Sequence, residues 1–120
     1  MDLNAEHLDL VELARAFLRE LHETGEPLRP ILNTGYVSES WVQRYVAFTD
    51  RVAAEFGESD PLPGEILAVI YCASVYCTKR YYDWQMLSGR KGVASDPSDI
   101  KKIRRAGDRI LLRPFYEGLT

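Results

Sequence analysis

The sequence predicts an all-α fold: a compact antiparallel bundle of four main helices, forming a single domain over residues 1–120. Three observations carry this. Four segments repeat their apolar residues at helical spacing. Capping and stop signals sit at the ends of those segments. No run alternates apolar and polar residues as a half-buried strand does. A length of 120 residues suits one domain. With 46% apolar and 28% charged residues, the composition is that of a globular protein.

The first helix is expected from about Ala5 to Thr24, with Leu10, Leu13, Ala14, Phe17, Leu18 and Leu21 on one stripe. Asn4 can cap its start, and Gly25 stands where a terminating glycine belongs. Residues 25–35 hold two prolines and no period, which predicts a linker lying against the core through Leu28, Ile31 and Leu32. A second helix follows from about Glu39 to Phe56 and is ended by Gly57. Ser40 and Gln43 have capping-box spacing, with Ser38 as the alternative cap. Val42, Tyr45, Val46, Thr49, Val52, Ala53 and Phe56 mark its inner face.

Pro61, Pro63 and Gly64 introduce a third helix from about Glu65 to Leu87, apolar nearly all round in its first half, as for a central helix. Tyr71, Ser74, Thr78 and Tyr82 share one face and suggest an interhelical hydrogen-bond seam. After the loop 88–95, Asp96-Pro97 signals the start of a fourth helix running to about Arg113, where Pro114 stops it. Ile100, Ile103, Gly107, Ile110 and Leu111 form its inner stripe.

Charge divides the chain. Residues 1–60 carry five basic and twelve acidic side chains, a balance of -7; residues 61–120 carry ten and six, a balance of +4. On the fourth helix Lys102, Arg105, Arg109 and Arg113 fall within an arc of about 80°, opposite the isoleucine stripe, with Lys101 and Arg104 beside them. Arg90 and Lys91 of the preceding loop can join this basic face. Cations at one-turn spacing suit a row of carboxylates on a protein, or a phosphate backbone. Tyr76, Tyr81, Tyr82 and Trp84, interleaved with Lys79 and Arg80, are candidate interface aromatics. The first helix carries Glu6, Asp9, Glu12, Glu20 and Glu23 outward, a negative patch able to imitate a phosphate backbone.

Catalytic ingredients are sparse. The two histidines, His7 and His22, stand far apart on the first helix, so no His-rich metal site is expected, and no cofactor motif is present. Cys72 and Cys77 point about 140° apart on an α-helix, a spacing that neither chelates one metal nor closes a disulfide; two small buried thiols are expected. The N-terminus lacks secretory features and the longest apolar stretch, residues 66–77, is too short to cross a bilayer, so a cytoplasmic protein is expected.

Two short motifs bear on function. Gly89-Arg90-Lys91-Gly92 resembles the GXXG loop with which KH domains clamp nucleic-acid backbones, although no strands are predicted around it. Arg15 and His22, spaced R-x6-H, resemble the motif of HEPN ribonucleases; here they lie on the first helix and Ala16 follows the arginine. Each resemblance covers a few residues only, and no family is assigned on them. The expectation is a small non-enzymatic accessory or regulatory protein, of the kind found among phage and mobile-element inhibitors and adaptors. It would bind a larger protein through charge-complementary helical faces. A nucleic-acid module using the fourth helix is the alternative, a HEPN-like ribonuclease the remote one, and a homodimer is compatible with any of them.

Overall fold

The computed structural model describes residues 7–88 and 97–113. Among them the fold is all-α, without a strand. The helices are α1 (Leu8–Thr24), α2 (Leu28–Thr34), α3 (Glu39–Glu55), α4 (Gly64–Tyr71), α5 (Cys77–Ser88) and α6 (Pro97–Leu111). A π-helical turn, Cys72–Tyr76, joins α4 to α5 as one continuous rod. The expected cap at Asn4, the N-cap at Asp96 and the stop at Pro114 lie outside the described residues.

Two features depart from a plain four-helix bundle. The residues expected as an irregular linker form the short helix α2, because its prolines fall where they do no harm. Pro27 precedes the first turn, and Pro30 lies within that turn, where backbone N–H groups have no intrahelical partner. Gly25 and Gly35 both adopt left-handed φ, 78° and 71°, and donate to Leu21 and Ile31 carbonyls as helix C-caps. At Gly35 a side chain is barred twice over, since a Cβ would also lie 2.5 Å from the Trp84 ring. The second departure is the π turn, which divides the predicted third helix.

Helix α3 starts at Glu39 on Ser38, whose hydroxyl accepts from the Trp41 N–H at 3.4 Å; Ser40 instead bonds the Ser38 hydroxyl at 2.9 Å. The alternative cap is therefore the one used. The inner face of α3 is rotated from the expected one. Trp41 and Phe48 are buried while Ala53 is exposed. Phe17 of α1 draws them in, standing edge-on to Trp41 at 5.8 Å and packing on Phe48 at 5.4 Å, while Trp41 stacks on Tyr45 at 5.2 Å.

The core joins Leu10, Val11, Ala14 and Phe17 of α1 to Ile66, Val69 and Ile70 of α4, and Ile100, Ile103 and Ile110 of α6 to α3 and the π turn. Leu13 and Leu111, expected inside, are exposed. Leu13 lines a surface groove of about 260 Å³ with Ala16, Ala47 and Phe48, where α1 and α3 diverge. His7, unassigned by sequence, packs on Phe56 at 4.1 Å with the rings tilted by 35° and Nδ1 3.3 Å from Glu55, tying the start of α1 to the end of α3.

The π turn has a visible partner. Ser74, buried within it, shares a hydrogen bond with the Tyr45 hydroxyl at 3.2 Å and donates to the Ile103 carbonyl at 3.4 Å. Gly107 of α6 faces this site so closely that a Cβ there would meet Ser74 Oγ at 1.4 Å. Thr78 donates to the Ser74 carbonyl at 3.3 Å, giving a partner to a group at the disturbed turn. The predicted seam of four polar residues thus reduces to Ser74 as the interhelical contact, because Tyr71 and Tyr82 face outward.

Candidate functional site

Helix α6 is positioned by Ile100, Ile103, Gly107 and Ile110, which seat it between α3 and the π turn. Its outer surface presents Lys101, Lys102, Arg104 and Arg105, all exposed. Among the described residues none of these four forms an ion pair. By contrast, Arg15, Arg44, Arg51, Arg80 and Arg109 each reach a carboxylate within the fold.

Two residues expected on the binding face serve the fold instead. Arg109 donates to Asp50 Oδ1 at 2.7 Å and to the Thr49 carbonyl at 3.5 Å, bonding α6 to α3. Arg113 donates through one nitrogen to the Gly57 carbonyl and through another to the Asp60 carbonyl, both at 2.9 Å. It thereby clamps the turn that Asp60 closes by accepting from the Gly57 N–H at 2.7 Å. The C-terminal part of the arc runs beside α3 and the turn after it. The exposed cations of α6 are Lys101, Lys102, Arg104 and Arg105, whereas Arg109 and Arg113 are engaged within the fold. Arg90 and Lys91, and the whole Gly89–Gly92 motif, lie outside the described residues.

The candidate aromatics divide likewise. Tyr81 and Trp84 are buried, Tyr81 with its hydroxyl accepting from Gln85 at 3.3 Å and Trp84 beneath Gly35. Tyr76 and Tyr82 are exposed, joined by Tyr71, which the sequence had placed in the seam.

The π turn also alters the cysteine geometry. Residues five apart lie about 140° apart on an α-helix but are near neighbours across a π turn, so the expected divergence of Cys72 and Cys77 does not hold. Both are free thiols, Cys77 buried and Cys72 half-buried. Burial pushes both thiols up from their ordinary range, disfavouring the thiolate.

On α1 the acidic surface is partly spent inside the fold. Glu20 makes two hydrogen bonds of 2.9 Å with the Arg44 guanidinium, which hold its carboxyl below the usual range. Glu26 beside it is raised, by burial and then by Glu20. Glu12 pairs with Arg15 at 2.7 Å, and Arg15 also reaches Glu65 of α4 at 3.4 Å. Of the R-x6-H pair, then, Arg15 is held between two carboxylates while His22 is exposed in the last turn of α1. Among the described residues no three His, Cys, Asp or Glu side chains are grouped to hold a metal, and no helix is long and apolar enough to cross a membrane. No family model, curated protein or solved structure matches the chain.

Proposed function

We propose that the protein works by binding, as a small accessory or regulatory protein that docks on the acidic surface of a larger protein through the outer face of α6. The observation that carries this is the contrast among its cations. Five other arginines pair with carboxylates within the fold, and Arg19, Arg29 and Lys79 are exposed on three separate helices, while Lys101, Lys102, Arg104 and Arg105 stand exposed together on one helix without a carboxylate partner among the described residues. Such a cluster steers association with an oppositely charged surface and contributes to the specificity of the contact.

A protein surface is favoured over a nucleic acid on two grounds. Residues 1–60 carry a balance of -7, so the acidic half of the chain repels a polyanion. Four cations also release few counterions. With a salt slope of about -0.9 per phosphate, raising salt from about 0.05 to about 0.15 M weakens four contacts roughly fiftyfold.

Fluorescence anisotropy with labelled duplex DNA, single-stranded DNA and RNA separates the two. Weak binding at low salt that vanishes at physiological salt is expected. Micromolar binding that persists at physiological salt would place α6 on a phosphate backbone instead.

A further inference from the structure

The cationic face of α6 borders a cleft. Where α6 lies beside α3, a trough of about 400 Å³ opens between them, floored by Val42, Val46 and Ala47 of α3 and edged by Lys102 of α6. The two helices run in the same direction, since Arg109 meets Asp50 and Arg113 reaches the Gly57 carbonyl further along both. Their first turns therefore share one end of the trough, marked by Glu39 and Asp99. The Arg109–Asp50 pair bridges the helices at the other. At the rise of an α-helix, Glu39 and Asp50 stand about 16 Å apart, three turns of helix.

Charge is distributed unevenly around this trough. Glu39, Asp99 and Lys102 form no ion pair among the described residues, whereas Asp50 is held by Arg109. One end thus offers two carboxylates. The α6 rim offers Lys102, with Arg105 one turn on and about 60° away around the helix. Lys101 and Arg104 stand about 100° and 160° from Lys102, turned away from the trough. An acidic surface spread evenly over this region would set carboxylates against Glu39 and Asp99, and like charges brought together reject a partner. The occupant has to be acidic along one flank only, apolar beneath, and basic at one end.

We propose that the acidic partner enters this trough as an amphipathic helix of about three turns. This rests on the reading of α6 as the partner face and specifies the element that α6 meets. The apolar stripe of that helix lies on Val42, Val46 and Ala47, and its carboxylate flank lies along Lys102 and Arg105. A lysine or arginine in its last turn, where the helix dipole favours a cation, meets Glu39 and Asp99. The helix accordingly runs antiparallel to α3 and α6. A contact this small belongs to the weak end of specific interfaces, so the charges at its two flanks decide which helix is accepted.

Fluorescence anisotropy with labelled, stapled helical peptides of about 14 residues, at about 0.05 M salt, tests this. The matched probe carries leucines at i, i+3 and i+7, glutamates on one flank and a lysine in its last turn. It should bind the full chain with a dissociation constant on the order of 100 µM. Exchanging its leucines for glutamine should abolish binding, and exchanging its lysine for glutamate should weaken binding at least about threefold. Glu39→Lys should reverse that last preference. Lys102→Gln with Arg105→Gln should weaken the matched probe at least about fivefold, and Lys101→Gln with Arg104→Gln less than about twofold. Ala47→Lys, at an exposed position of the floor, should block it, and circular dichroism confirms that each variant is folded. A matched probe that fails to bind, or binds the Glu39→Lys or Ala47→Lys variant like the wild type, overturns the proposal. So do amide shifts at Val42 and Val46 on dilution of the chain alone, which would assign the trough to a second copy. Equal dependence on the two pairs of cations overturns the trough and leaves α6 as the partner face, whereas dependence on neither overturns both.

Discussion

Replacing Gly107 by alanine sets two effects of opposite sign against each other. Within a helix alanine is favoured over glycine by about 1 kcal/mol, so propensity alone predicts a more stable protein. The structure predicts the reverse. The new Cβ would lie 1.4 Å from Ser74 Oγ, 2.6 Å from Ser74 Cβ and 3.0 Å from the Tyr45 hydroxyl. Both neighbours are buried in the core and bonded to each other, so neither can swing into solvent. Forcing α6 away from the π turn costs about 1–3 kcal/mol as overpacking. Displacing Ser74 from Tyr45 and Ile103 strands buried polar groups for a further ~1–3 kcal/mol. Against the propensity gain, a net loss of about 1–5 kcal/mol remains. Urea denaturation followed by circular dichroism measures it directly, and a melting temperature lower by roughly 3–20 °C should accompany it. Pairing the change with Ser74→Gly removes both the hydroxyl and its Cβ and should recover part of the loss. An alanine variant as stable as the wild type, or more so, would refute the close approach of α6 to the π turn.

The remaining predictions concern the two reassigned cations, the carboxylate pair and the cap. Arg113→Ala should cost about 1–2 kcal/mol and raise amide exchange in residues 57–60, since the two carbonyl contacts it makes there disappear. Glu20→Gln should lower stability at neutral pH. Its folded pKa is depressed by Arg44, so its contribution is present above the unfolded value near 4.3 and is lost as pH falls through the folded one. Glu26→Gln should do the opposite, raising stability at neutral pH and changing nothing in acid. Its folded pKa is elevated, so the wild type bears a penalty only once the group ionises. Both differences stay within about 1 kcal/mol because the groups are only partly buried and solvent still screens them, and thermal melts across the acid range read their signs. Ser38→Ala should cost about 0.5–1 kcal/mol through loss of the α3 cap, seen as a lower denaturation midpoint.

Several elements were legible from residues alone because their signals are local. Gly25 as a C-cap, Pro97 at the start of α6, and the Ile100, Ile103 and Ile110 stripe all depend on neighbours within one helix. The misses share a cause of another kind. A helical wheel gives the direction of a side chain but not what stands opposite it. Arg109 and Arg113 lie on the arc where periodicity puts them, yet Asp50 and the carbonyls of Gly57 and Asp60 approach from more than fifty positions away in sequence. The π turn is invisible for a similar reason. Ile66, Ile70, Ala73, Cys77, Tyr81 and Trp84 keep ordinary α spacing, and only the demand of Ser74 for Tyr45 and the Ile103 carbonyl accompanies the extra residue. A signal was present in Gly107, an otherwise costly glycine in the middle of a helix, which marks the place where another element comes close. Helix α2 was missed because two prolines in eleven residues resemble a linker unless their positions within the first turn are weighed.

The central claim is that Lys101, Lys102, Arg104 and Arg105 form the face that meets an acidic protein, and exchanging all four for glutamine tests it most directly. Exposed and without a carboxylate partner among the described residues, they contribute little to folding, so the melting temperature of the variant should stay close to that of the wild type. Both forms would be immobilised and exposed to nuclease-treated extract of the native host, with captured proteins identified by mass spectrometry over a salt series. The account predicts an acidic protein held by the wild type, released as salt rises, and absent from the folded variant. Equal capture by the two forms, or capture that disappears on nuclease treatment, would contradict it.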